Sequence, residues 1–157
     1  MKLYLVQHGE AELKTSDSQR PLTERGQDDV DQVAAFARRA GVKVHQIRHS
    51  GKRRAEETAA LFAKHLEPAG GVLALPGLGP QDDVQPAAEL LNRETRSLMF
   101  VGHRQFMDRL VGLLVAKDNR NTVVRFQKGC IVCLERDPRS WSWAVLWAVT
   151  PELVTEA

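Results

Sequence analysis

The chain has 157 residues, 43% of them apolar and 27% charged, enough for one domain with a proper core and too apolar for global disorder. A net charge of +2 points to neither nucleic acid nor a membrane surface, and no apolar run approaches the ~20 residues that cross a bilayer. The N-terminus reads as a strand rather than a basic segment before an apolar h-region, so the expectation is a single cytoplasmic domain over residues 1–157.

In chain order, Lys2 to Val6 is a short apolar strand that stops at Gln7-His8-Gly9. The stretch "PLTERGQDDVDQVAAFARRAG" predicts a helix with Thr23 as N-cap, Val30, Val33, Ala34 and Ala37 on one face, and Gly41 as its close. "VKVHQIRHS" predicts a second strand, and "GKRRAEETAALFAKHL" a helix with Ala55, Ala59, Phe62 and Leu66 in its apolar stripe. A short strand and a Gly/Pro loop follow in "AGGVLALPGLGP", then a weaker helix in "DDVQPAAELLNRE" with an acidic start. "SLMFVGH" is a buried-looking strand, followed by a helix in "RQFMDRLVGLLVAK". The tail is β-rich: "TVVRF", "CIVCLER" and "WSWAVLWAV", with a "DPRS" turn between the last two. Alternating strands and helices before a β tail imply an α/β domain of three layers. Its central sheet is expected to be mostly parallel, with an antiparallel edge and helices on both faces.

Three strands end in polar groups just before a helix: Gln7-His8-Gly9, His49-Ser50 before Lys52, Arg53 and Arg54, and Gly102-His103-Arg104. In open α/β sheets ligands bind beyond the carboxyl ends of strands, where helix N-termini offer free N–H groups and partial positive charge. Two histidines and several arginines at that edge suit phosphoryl transfer. A neutral histidine is nucleophilic near pH 7, arginines bind phosphoryl oxygens in bidentate fashion, and a second histidine can stabilise developing charge.

Other features take plainer readings. Cys130 and Cys133 form C-x-x-C, but in a β-branched strand their side chains point to opposite faces and no second pair completes a zinc site, so both are structural. His45 and His49 lack a metal-binding context, and no metal or cofactor is implied. His65 reads as a favourable group at a helix C-terminus, and Glu10 as a helix-start or solvent group. Trp141, Trp143 and Trp147 are expected on one face of the last strand, for core packing or, alternatively, as a docking patch.

"LVQHGEA", "RPLTERG", "SGKRRAEETA" and "FVGH", in this order and spacing over nearly the whole chain, resemble the histidine phosphatase superfamily, and within it the SixA-type phosphohistidine phosphatases. The resemblance implies a phosphoglycerate mutase-like fold, His8 as the phospho-accepting nucleophile and His103 as the second catalytic histidine. It implies phosphate binding by Arg20 and Arg54 and around Gln7 and Gly9, with Asp83 as an acid near the site. The superfamily's usual tripeptide is Arg-His-Gly, so Gln7 is an exception. A hydrogen bond to a charged group contributes roughly 1.5–3 kcal/mol and a neutral one about 1, a difference worth roughly ten- to a hundredfold in rate. Arg104, directly after the second histidine, is the expected compensating cation, ahead of Arg48 and His49.

Between Leu66 and Leu98 the chain already holds a strand and a helix, leaving little for a lid over a small metabolite. The expected substrate is therefore a phosphohistidine-bearing protein, such as a phosphorelay domain. The alternatives are a small phosphate ester, or phosphoryl binding with little catalysis.

Overall fold

The computed structural model describes residues 1–13 and 15–155. Six strands, β1 (Lys2–Gln7), β2 (Gln46–His49), β3 (Val72–Ala74), β4 (Leu98–Gly102), β5 (Ile131–Arg136) and β6 (Trp143–Val149), form one sheet in the order β3-β2-β4-β1-β5-β6. Strands β1 to β4 run parallel, whereas β5 is antiparallel to β1 and β6 antiparallel to β5. This is the mostly parallel α/β sheet with an antiparallel edge that the alternation of elements predicts.

Period-two alternation along the central strands divides the core. Leu3, Leu5, Leu98 and Phe100 face α3 (Gln85–Arg93) and α4 (Arg104–Ala116). Tyr4, Val6, Met99 and Val101 face α1 (Glu24–Arg39) and α2 (Arg53–Leu66). The expected stripe of α1 is wholly buried, from Val30 through Ala37. Thr23 caps it by accepting a bond from the Gly26 amide at 2.9 Å, and Gly41 leaves it at φ +79°. Phe62 of α2 is completely buried, a side chain worth roughly 1.5–3 kcal/mol of burial. A short α5 (Pro151–Val154) ends the described chain beside α1.

The tryptophan expectation is corrected. The ladder between β5 and β6 slips between Cys133 and Leu134: Cys133 opposes Trp147 while Leu134 opposes Val145, so Leu146 is the extra residue of a bulge. That one-residue shift turns Trp143 towards the α3/α4 side and Trp147 towards Tyr4 and Phe36 on the other. Trp141 lies outside the strand at φ +60°, with the Arg136 guanidinium 4.0 Å from its ring centroid. Cys130 and Cys133 are buried free thiols, and His65 bonds Asp31 at 2.8 Å. No helix among the described residues is long and apolar enough to cross a membrane.

Candidate functional site

Because β1, β2 and β4 are parallel, their carboxyl ends open on one edge. An open cleft of about 980 Å³ there is lined by Gln7, His8, Arg20, Arg54, His103 and Arg104, among others. The sequence motifs thus converge, each delivered by the end of a strand or the start of a helix.

His8 continues the β1–β4 ladder, its amide bonding Gly102 O at 2.9 Å. Its ring Nδ1–H donates to Gly9 O at 2.7 Å, which leaves the Nε2 lone pair as the acceptor side of the imidazole, taking a long bond from Arg54 Nε. Arg54 Nε stands 3.3 Å from that Nε2. His103, the N-cap of α4, places its ring centroid 5.1 Å from that of His8, edge-on, and its Nε2 lies 2.8 Å from Ser50 Oγ.

Burial is the main reason both rings resist protonation. It carries His8 down to about 4, helped by the charges of Arg54, Arg20 and Lys128 and opposed by the bond to Gly9 O. His103 falls to about 3, through burial and then the neighbouring His8, Arg54 and Lys52. Unfolded, each would take up a proton near pH 6.5. Below that pH the unfolded chain binds more protons than the folded one, so stability falls on acidification until the folded-state values are reached. The expected loss from pH 7 to 5 is about 1–2 kcal/mol for each ring, measurable by denaturant unfolding. A flat profile across that window, which lies above the range of the carboxylates, would contradict neutral, buried histidines.

The cations surround Asp17, in a 3₁₀ turn before Arg20. Arg54 donates to Asp17 O at 2.7 Å and to Oδ1 at 3.3 Å, Lys52 pairs with Oδ2, and Arg20 Nη1 lies 3.9 Å from Oδ1. The hydrogen bond from Lys52, with the charges of Arg54, Lys52 and Arg20, holds the Asp17 carboxyl below the usual carboxylate range. Sequence reasoning missed Asp17. Its carboxylate shows where a second anion is attracted: the convergence of Arg20, Lys52 and Arg54.

Two expected site residues are corrected. Gly9 is no phosphate ligand, because its N–H is donated at 3.1 Å to the buried Thr58 Oγ1. A Cβ there would meet Val30 Cγ2 at 2.7 Å and Gly26 O at 3.0 Å, so the glycine answers to packing. Asp83 is exposed and off the cleft, its Oδ1 accepting from the Gln85 amide at the start of α3. Its neighbour Asp82 lines the wall instead, with Oδ2 accepting from the Gly79 amide. Arg48 bonds Gln46 Oε1 and His49 bonds the Gly51 amide, and neither lines the cleft. Glu10 accepts a bond from the Thr23 hydroxyl. The sequence reading also passed over Lys128, on the loop before β5, which lines the cleft beside Gln7 and His8.

Over 122 residues, 74% of its length, the chain is 31% identical to the phosphohistidine phosphatase SixA of Escherichia coli K12, covering 73% of that protein. Residues 3–78 match the histidine phosphatase superfamily (branch 1). The chain belongs to that superfamily. It is a phosphatase. Among solved structures, protein histidine phosphatase SixA complexed with tungstate superimposes with a TM-score of 0.89 at 26% identity, over 99% of this chain and 100% of that one. The α-ribazole phosphatase of Shigella flexneri shares the phosphoglycerate mutase-like fold, with a TM-score of 0.70 at 18% identity over 93% of this chain and 96% of that one.

Proposed function

We propose that this histidine phosphatase hydrolyses phosphohistidine displayed on another protein, through a phosphoenzyme on His8. The observation that carries the reading is the placement of the His8 ring, held by the bond from Nδ1 to Gly9 O with Nε2 beside Arg54 in a cationic open cleft. The phosphoryl group enters beside the Asp17 carboxylate and shares its cations, Arg54, Arg20 and Lys52, which bind its oxygens. The His8 Nε2–P bond forms as the P–N bond of the substrate breaks, and the electron pair passes to the departing imidazole, which takes a proton from solvent. His103, beside the reacting phosphorus, stabilises the charge spread over the equatorial oxygens. Water then attacks phosphorus, the Nε2–P bond breaks, and neutral His8 returns with phosphate as product.

Two features favour phosphohistidine over a small ester. On the side where a lid would rise, the wall is only the loop through Gly79, Pro80, Gln81 and Asp82, leaving the cleft open to a folded partner. Among the described residues, the carboxylates lining the cleft are Asp17, held ionised by its cations, and Asp82, engaged with Gly79. Neither is a poised proton donor for an alkoxide, whereas a departing imidazole can be protonated at its solvent-facing nitrogen. Phosphate release from a phosphohistidine-bearing protein, compared with phosphate monoesters under metal chelation, tests this. A preference for the protein of at least about a hundredfold in kcat/KM is expected. Faster release from monoesters would overturn the substrate, and tungstate binding without release from either would make the site a phosphoryl-binding one.

A further inference from the structure

Gln7 leaves a gap in an otherwise cationic site. Its side chain is 6% exposed, and Oε1 is buried without a hydrogen-bond partner. A buried carbonyl oxygen without a donor is unfavourable, and a neutral amide lining an anion site supplies no charge to the ligand. The missing cation has to be mobile enough to reach the ligand and not already engaged.

The cations around Asp17 are engaged: Arg54 and Lys52 with Asp17, and Arg20 Nε with Glu12 O at 2.6 Å. Lys128 and Arg104 line the same cleft, and among the described residues neither forms an ion pair. Backbone geometry separates these two. The Gly129 amide donates to Gln7 O at 3.0 Å and His8 O at 3.1 Å, and the Gln7 amide donates to Cys130 O at 3.3 Å. These bonds clamp the Lys128 backbone against the Gln7-His8 segment. Gly129 turns there at φ +78°, the left-handed region that favours glycine. The charge of Lys128 also bears on the His8 ring, while that of Arg104 bears on Asp108, one turn along α4.

Resting on the phosphatase reading above, we infer that Lys128 is a phosphoryl-binding residue, its ammonium supplying beside His8 the positive charge that Gln7 lacks. Gln7 and Lys128 then act as a neutral–cationic pair, and the loop before β5 is part of the phosphate site. Lysine suits the role because its flexible stem carries a compact charge with three donors to offer the phosphoryl oxygens.

Tungstate binding to the intact protein by calorimetry tests this without any turnover, so failure of the phosphohistidine reading leaves the result interpretable. Lys128→Met should weaken tungstate about ten- to a hundredfold, while Arg120→Met, an exposed charge control, should change it less than about twofold. In a Gln7→Arg background the Lys128→Met effect should shrink below about threefold, because the guanidinium takes over the same oxygens. Unchanged tungstate affinity in Lys128→Met, or an equal loss in both backgrounds, overturns the inference. Thermal melts of each variant, the buried Gln7→Arg included, check that the fold is intact.

Discussion

His8→Ala is expected to lower phosphate release at least about a thousandfold while leaving tungstate binding within about tenfold of the parent. The two readouts separate because the anion is held by Arg54, Arg20 and Lys52, and of their contacts only the 3.3 Å bond from Arg54 Nε to His8 Nε2 is lost with the imidazole. Arg54 is anchored by Asp17, and Arg20 by the Glu12 carbonyl. What His8→Ala removes is the Nε2 lone pair, and with it the covalent route. Parent enzyme quenched during turnover should carry acid-labile, alkali-stable phosphate, and the variant none. His103→Ala should differ in kind. It loses about a hundred- to a thousandfold in rate, as when one donor to a developing oxyanion is removed, but still forms the phosphoenzyme. Turnover by His8→Ala above about one percent of the parent would sink the covalent mechanism, whatever the substrate.

The parts of this site legible in the sequence were those announced by periodicity or by a strand running into a helix. Thr23 with the stripe from Val30 to Ala37 defines α1, and His8, Arg54 and His103 each stand where an element changes type. The parts that were not legible depend on pairing direction. An antiparallel strand brings its N-terminal end to the edge where its parallel neighbours end. The loop before β5 therefore reaches the cleft, and Lys128 with it. An expected antiparallel strand beside β1 was the available signal, but "FQKGC" carries no pattern naming the lysine. The bulge at Leu146 was equally hidden, since "WAVLWAV" is apolar throughout and has no alternation to mark a slip of register. Asp17 stands in a 3₁₀ turn of a polar loop, and its role exists only once Lys52 and Arg54 arrive at the start of α2.

Gly26→Ala is expected to damage both stability and rate, although alanine is the better helix former. Gly26 occupies the first turn of α1, in the "RPLTERG" stretch, where its amide meets the Thr23 cap. A Cβ there would lie 2.2 Å from Glu10 O and 3.0 Å from Glu10 C and N. These are backbone atoms, and Glu10 is already fixed: its carbonyl accepts the Thr23 amide at 3.0 Å and its carboxylate the Thr23 hydroxyl. Neither partner can yield by a rotamer change, so α1 and the 8–12 segment must separate. Helix propensity returns at most about 1 kcal/mol. Overpacking against rigid backbone costs more, and a net loss of about 3 kcal/mol, or roughly 6–12 °C in Tm, is expected. The same displacement acts on Gly9, whose Cα packs against Gly26 O and Val30, and so on the carbonyl that holds the His8 tautomer. Misplacing a nucleophile by a fraction of an ångström lowers the rate steeply, so kcat/KM should fall more than about tenfold at temperatures where the variant is folded. Gln27→Ala, one residue on and exposed, should do neither. A Gly26→Ala protein with the parent's Tm and rate would show that α1 does not brace the nucleophile loop.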